Sequence, residues 1–497
     1  MNVKQYYSSI ENEFLIFLPD GRLTPPDEFL KDNQFQEGVK PLVSRIKDPW
    51  FAHDFGVLVK KEALGQITSS GNEQHKAANV KLINQLYLAE PDPFSDAGHL
   101  RFLPKGALIY DLITDYAYRL ALEEGASPVH SSILYDESLP GIAEHLKLFG
   151  EQAYHIRPEN RQFVFRYAAC FGQFSMLHNK VFSYQHLPFQ LFELADSYRY
   201  ERKSQVSGMH RQRRFLMPDM HIFCERDSEL DKAKAEFKRI YMKIMNLGHS
   251  SNWRYVVLVN LRADFYENHR GFIQQLSQLI EAPVLLRFIS PAKGYYWMIN
   301  IEFCIIDSLD RPVEIATVQM DVGNAERFNI RYVNAEGQEK YPIILHIALI
   351  GSIERYFNAV LENASVQAKR SKTKISLPFW LCPVQIRLIP IQKTHEAFCY
   401  ILLKKLQQHN LRIDIDNRLK SLNQRIRDAE RELVPWILVI GEKELKNGIF
   451  QLRSRIKDEN KVASEDELLK LAKIKQGAYP FRPLPLPKDL LSRPSFF

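Results

Sequence analysis

The amino-acid sequence predicts an α/β chain of more than one domain, and three observations carry the prediction. Residues 187–224 read as two strands joined by a polar loop, and residues 253–260, 294–307 and 313–321 add further strands. Residues 106–124 place Leu108, Leu112, Tyr116 and Leu120 on one helical stripe, with Ile109, Ile113 and Ala117 beside it. Beyond residue 378 the pattern changes to a βαβαβ rhythm, which sets off a second domain.

A chain of 497 residues has room for two or three domains with full cores. Its 45% hydrophobic and 25% charged content is that of an ordinary soluble globular protein. A net charge of +7 and a pI near 8.9 suit a polyanionic partner without requiring one. The cysteines at 170, 224, 304, 382 and 399 lack any Cys-x-x-Cys spacing, which argues against a disulfide framework or a zinc finger. The first residues are too polar for a signal peptide, and no run of about eighteen apolar residues offers a membrane span. A cytoplasmic protein is expected.

Taken in order, residues 14–23 form a hairpin turned on Asp20-Gly21. Residues 65–74, with Ser69, Ser70, Gly71 and Asn72, read as a flexible loop. The 106–124 helix ends on Gly125, a C-cap. Cys170 sits among Ala and Phe, where a lone cysteine is ordinarily a small buried hydrophobe. In 187–224, Arg199-Tyr200-Glu201 closes the first strand. Arg202, Lys203, Arg211, Arg213 and Arg214 then crowd a loop around Gly208 that holds no acidic residue. Guanidinium forks match phosphate oxygens, so the loop suits a polyphosphate; a solvated basic hairpin is the plain alternative.

Residues 228–247 read as a helix, 253–260 as a buried strand and 272–280 as a helix. Residues 341–357 run from strand through a Gly351-Ser352 break into a helix bearing Glu354 and Arg355. Residues 367–374 read as a basic linker. In the last domain, strands 384–390, 412–415, 436–440 and 448–453 alternate with helices 395–408, 419–433 and 465–474. Pro480, Pro483, Pro485 and Pro487 mark an extended strap.

Arg199-Tyr200-Glu201, the basic loop and the run from Met217 to Cys224 resemble motif 2 of the class II aminoacyl-tRNA synthetases, in particular the archaeal-type threonyl-tRNA synthetases. Residues 106–136 are similar to motif 1, with Ser132 where the family has a proline, and residues 341–357 are similar to motif 3. The three stand in the family's order. The resemblance implies a class II antiparallel sheet flanked by helices across 76–366 and a linker at 367–377. A C-terminal α/β anticodon-binding domain would follow over 378–497. Residues 1–75 would be a connector with no room for the editing domain that relatives usually carry ahead of it.

By the same resemblance the chain is a class IIa threonine–tRNA ligase and a homodimer, taking threonine, ATP and threonine tRNA, with no DNA or membrane partner. Arg199 and Arg355 would be catalytic contacts to ATP phosphates, with Arg211 on the pyrophosphate end, Glu201 on the adenine amino group and Gln319 on the nucleotide. Mg2+ would accompany ATP; Glu302 and Glu314 are weaker candidates to hold it.

One Zn2+ per subunit would be held by Cys170, His221 and His346, with Asp219 accepting from the threonine hydroxyl. A plain structural role for each histidine, and an ion pair for Glu201, stay open. His145 would face the ribose of the tRNA end, with a near-neutral pKa suited to accepting a proton, or be a surface histidine. Glu444 and Arg453 would read anticodon bases, and the asparagine that bacterial relatives use just after the second strand of this domain falls on Leu419. Arg418, Lys420, Arg425 and Arg427 could hold phosphates.

Serine differs from threonine by one methyl, worth roughly 1–3 kcal/mol, so editing by a separate protein in trans is expected. A class IIa synthetase for another amino acid, and a non-catalytic synthetase-like tRNA-binding or regulatory protein, are the alternatives.

Overall fold

The computed structural model describes residues 13–32, 49–66, 77–149, 152–290, 295–454 and 460–494. The expected flexible loop therefore lies outside the described residues from 67 onward. Two compact units emerge: one drawn from 1–75 and 117–359, the other from 76–116 and 360–497.

The first unit is built on one ten-stranded sheet. In chain order its strands are β1 (Phe14–Phe17), β2 (Leu23–Thr24), β3 (Ser127–Pro128), β4 (Phe189–Tyr198), β5 (Arg214–Cys224), β6 (Val256–Arg262), β7 (Val284–Ile289), β8 (Trp297–Ile306), β9 (Pro312–Asp321) and β10 (Ile343–Ala348). Across the sheet they lie β2-β1-β7-β6-β8-β9-β10-β5-β4-β3. The expected antiparallel character holds through its centre. β4 and β5 pair over their whole length, from Phe189 opposite Phe223 to Tyr198 opposite Arg214.

β6 and β7 are parallel, joined by the helix Ala263–Leu279, because a parallel pair needs a crossover. β7 was not legible in the sequence: a six-residue apolar run has no period that separates strand from buried helix. The helix before it starts earlier than expected and is kinked at His269.

Helix α1 (Pro104–Glu123) ends at Gly125, whose φ of +84° confirms the C-cap. Helix α2 (Phe171–Leu177) follows Cys170 directly. Between β10 and helix α3 (Ile353–Ser371), Gly351 has φ +66°, and an added Cβ would stand 2.1 Å from the Ile315 carbonyl oxygen. Only glycine turns the chain there. α3 runs to Ser371, so the first part of the expected linker is helical. Gln367, Ala368, Lys369 and Arg370 are good helix formers, and the cations offset the carbonyl end of the helix. Among the described residues no helix is long and apolar enough to cross a membrane.

The second unit holds a five-stranded sheet: β11 (Ile386–Pro390), β12 (Ile413–Ile415), β13 (Trp436–Ile440), β14 (Ile449–Ser454) and β15 (Asn460–Ser464), in the order β12-β11-β13-β14-β15. The βαβαβ rhythm makes β12, β11 and β13 parallel. Helix Glu442–Asn447 and β15 are additions that the sequence pattern did not reveal. The proline strap pairs with β12 through Ile415 N–H to the Lys488 carbonyl, 2.7 Å.

Residues 76–116 join this unit through polar anchors. Asn79 donates its backbone and side-chain N–H to Glu362 Oε1 at 2.7 and 2.5 Å. Arg482 forks onto Asp111 and Asp115. Arg387, wholly buried, binds both oxygens of Asp414 at 2.8 Å and both of Glu432 at 2.9 and 3.1 Å. Lys105 reaches the same Glu432 at 3.0 Å. Burial opposes ionisation of Glu432, but the Arg387 and Lys105 cations outweigh it and hold its carboxyl well below the usual range.

Arg387→Ala strands buried carboxylates and should cost about 3–5 kcal/mol, read by denaturant unfolding of the full chain. Because the folded pKa of Glu432 is depressed, its contribution is complete above the unfolded carboxylate pKa. It drains away as pH falls toward the folded value. The deficit of Arg387→Ala should therefore shrink in acid.

Candidate active site

Sheet register assembles the site. His221 of β5 stands opposite His346 of β10, and His346 stands opposite Gln319 of β9. Directly paired residues share a sheet face, so three side chains scattered along the sequence form one row. Asp219, two residues before His221, lies on the same face.

The two imidazoles meet at 3.0 Å, His221 Nε2 to His346 Nδ1. Their outer nitrogens fix the protons. Asp321 Oδ2 stands 2.7 Å from His346 Nε2 and also accepts from Asn324 Nδ2, while its Oδ1 accepts backbone N–H from Gly323 and Asn324. That carboxylate accepts only, so His346 carries its proton on Nε2. Gln173 donates its Nε2 to the Asp219 carbonyl, leaving Oε1 to accept from His221 Nδ1 at 2.9 Å. Each ring has spent its proton outward, and two lone pairs face one another.

A cation between them removes that conflict. A proton is disfavoured, because burial and the neighbouring His346 hold His221 well below its ordinary pKa. A metal that prefers nitrogen and sulfur suits the pair, with Asp321 and Gln173 orienting the rings from behind. Phe174, in α2, packs its ring 5.0 Å from His221 and 5.6 Å from His346.

The expected cluster of Cys170, His221 and His346 is not closed. Among the described residues, no three His, Cys, Asp or Glu side chains stand together as metal ligands. Cys170 is buried beside Tyr167, Phe171 and Phe174, and burial with the nearby Asp219 and Asp321 carboxylates pushes its thiol pKa well up. A protonated thiol has no charge to draw it to the imidazoles.

Asp219 is buried, and its Oδ2 has no hydrogen-bond partner among the described residues, lying 3.8 Å from His221 Nε2. Burial raises its pKa to about 7. Tyr296 donates its hydroxyl to Gln319 Oε1 at 3.1 Å and packs its ring 5.2 Å from His346. Tyr296, Asp321 and Gln173 went unnoticed in the sequence. The one available signal was spacing: Asp321 follows Gln319 by two on one strand face, and Gln173 follows Cys170 by about one helical turn.

Beside this pocket lies a cationic one. Arg199 donates Nε to the Tyr167 carbonyl at 3.0 Å. Burial, then the charge of Arg355, depress its pKa. The two cations are therefore close enough to feel one another's charge. Arg355 Nη1 meets Glu314 Oε2 at 3.1 Å, and Arg211 meets Glu201 Oε2 at 2.8 Å. The ion pair left open for Glu201 is thus present.

His145 departs from expectation. It is buried on the helix Pro140–Phe149, its ring 4.9 Å from Phe171 and 5.7 Å from Tyr167. Burial, then the Arg327 cation, lower its pKa to about 3, so it is a neutral interior imidazole rather than a near-neutral base or a surface histidine.

In the second unit Glu444 Oε2 accepts from the Gly441 N–H at 2.9 Å, capping its helix. Arg453 is exposed on β14, and Leu419 is 99% exposed. The suggested phosphate-binding face is largely committed to internal bonds. Arg418 and Lys420 pair with Asp428, and Arg425 donates to the Pro390 and Asp416 carbonyls. Only Arg427 of the four is exposed with no pairing described.

Residues 154–364 match the tRNA synthetase class II core domain (G, H, P, S and T), and residues 385–475 match an anticodon binding domain. A class II core built around the β4–β5 hairpin, followed in the chain by an anticodon-binding fold, defines a class II aminoacyl-tRNA synthetase. The threonine–tRNA ligase of Pyrobaculum aerophilum is 39% identical over 89% of this chain and 71% of its own. That of Staphylothermus marinus is 36% identical over 98% of this chain and 75% of its own. The chain belongs to the threonine–tRNA ligase family. In fold, it is similar to the crystal structure of the RNA binding domain of threonyl-tRNA synthetase from Cryptosporidium parvum Iowa II. The TM-score is 0.70 at 21% identity, covering 82% of this chain and 99% of that one.

Proposed function

We infer that the chain activates threonine with ATP and transfers it to the 3′ end of threonine tRNA. The observation that carries this reading is the facing pair His221 and His346 beside the buried carboxylate of Asp219, within a family whose members are threonine–tRNA ligases.

His221 and His346 would hold a zinc ion with Cys170 as third ligand, its thiol giving up its proton on binding. Bound there, zinc supplies coordination to the amine and hydroxyl of threonine. Asp219 would accept a hydrogen bond from the threonine hydroxyl, giving Oδ2 the partner it lacks among the described residues. A site built to bind a hydroxyl rejects valine, whose methyl would leave Asp219 unpaired.

Arg199 and Arg355 steady the α-phosphate and the departing pyrophosphate of ATP, which is bound with Mg2+, while Gln319 touches the nucleotide. Glu201 takes the adenine amino group, and Arg211, released from Glu201, turns to the pyrophosphate. Glu302 and Glu314 would help hold Mg2+. The carboxylate oxygen of threonine attacks the α-phosphorus and the bond to pyrophosphate breaks. The tRNA ribose hydroxyl then attacks the adenylate carbonyl. His145, neutral at working pH, borders this region by packing and stands as its wall. Glu444 and Arg453 would read the anticodon.

A homodimer fits the exposed Leu122 and Ile133 near the edge strand β3. The pocket gives little purchase against serine, so accurate charging would need a separate hydrolytic step that removes serine from the tRNA.

Threonine-dependent ATP–pyrophosphate exchange tests the reading, with serine, valine and proline as competitors. Threonine should exchange fastest, serine should follow within about 10- to 200-fold, and valine should be far weaker. Exchange with proline but not threonine, or with no amino acid, overturns it.

A further inference from the structure

Three segments with no obvious role in the chemistry meet in a buried polar cluster beside the amino-acid pocket. Glu193 on β4 stands directly opposite Asp219 on β5, so the two carboxylates are neighbours on one face. Glu193 and Arg166 have side chains only 2% exposed and meet at 2.9 Å, Arg166 Nη1 to Glu193 Oε1. Arg166 lies four residues before Cys170. Its Nε also donates to the Asp196 carbonyl at 2.7 Å, which fixes the guanidinium along β4.

Ser131 comes from the segment after α1. Its N–H donates to Glu193 Oε1 at 2.9 Å, and its hydroxyl lies 2.9 Å from both carboxylate oxygens while accepting from Arg166 Nη1 at 2.8 Å. The other side of the cluster is closed by Gly172. A Cβ there would stand 1.7 Å from Ser131 Oγ and 2.7 Å from Glu193 Oε2. The absence of a side chain lets the helix that Cys170 opens lie directly on the cluster.

We propose that Ser131, Glu193 and Arg166 form a positioning device for the amino-acid side of the active site. They set the strand carrying Asp219 and the helix opened by Cys170 in fixed relation to the segment that follows α1. This rests on the functional reading of Asp219 and Cys170 given above. The family's proline near this point falls on Ser132 here. Side-chain hydrogen bonds from Ser131 hold the loop where a rigid ring does not. Two buried carboxylates side by side repel, and the Arg166 Nη1 contact to Glu193 Oε1, with the Ser131 bonds to the same carboxylate, offsets the Glu193 charge and holds its position. These are positioning residues: none of them touches threonine.

The test is steady-state exchange with Ser131→Ala and Glu193→Gln in the full chain, together with thermal shifts induced by threonine alone and by ATP alone. Losing one buried charge-assisted hydrogen bond should raise the threonine KM by roughly tenfold while the ATP KM stays within about twofold. Threonine-induced stabilisation should fall, and ATP-induced stabilisation should hold. Should Glu193→Gln fail to fold, Ser131→Ala, one atom smaller, carries the test alone. A folded Ser131→Ala with an unchanged threonine KM, or with both KM values raised equally, overturns the proposal. A wild-type chain with neither threonine-dependent exchange nor threonine-induced stabilisation overturns the functional reading instead, and the proposal with it.

Discussion

His346→Ala is expected to strip zinc from the chain and to lower threonine-dependent exchange by about a hundredfold or more, with metal content falling in step. His346 supplies one of the two facing nitrogens. Alanine removes it, and one imidazole with Cys170 is one ligand short of the three that such a site needs. Asp321→Asn is the sharper variant, because it leaves both imidazoles in place. The Asp321 carboxylate fixes the His346 proton on Nε2. An amide in its place can turn a donor toward Nε2, and the proton then shifts to Nδ1, where the metal should bind. Metal affinity should fall by roughly 10- to 100-fold. Zinc content measured on dialysed protein, beside exchange rates, checks both variants. Retention of full zinc by His346→Ala would remove these histidines from the metal site.

Arg199→Ala should slow adenylate formation by roughly 10²- to 10³-fold, while the threonine-induced thermal shift is kept. Its guanidinium is fixed through Nε to the Tyr167 carbonyl and held against the charge of Arg355. On the proposed reading the two cations would stand near each other before ATP binds, which would leave little reorganisation for the reaction step. Arg199→Lys should recover little, since an ammonium cannot bond the Tyr167 carbonyl and fork onto phosphate oxygens at once. Single-turnover adenylate formation at saturating threonine and ATP measures this. A rate within about threefold of wild type would place the phosphate contact elsewhere.

Much of the architecture was legible because it depends on local pattern. The hairpin at β4 and β5, the apolar stripe of α1, the glycine break before α3 and the βαβαβ rhythm each follow from periodicity or turn chemistry. β7 and the helical extension to Ser371 were not. A short apolar run has no distinctive period, and a charged stretch reads equally as linker or helix end. The expectation for His145 rested on the family resemblance, and whether a histidine is buried depends on what packs over it, which no local pattern records.

Local pattern along the chain was enough to set the class of fold, the order of motifs and the residue types suited to a nucleotide and a hydroxylated amino acid. Those are properties of short stretches, where neighbours along the chain supply the physics. Which side chains meet depends on how the strands pair. Antiparallel register sets His221 beside His346 and Glu193 beside Asp219, though 125 residues separate the first pair. The proton positions on the two imidazoles, the companionship of Arg199 and Arg355, and the seating of Ser131 over Gly172 arise only once the sheet has closed. Buried electrostatics depend on distance through space, and distance along the chain carries no record of it.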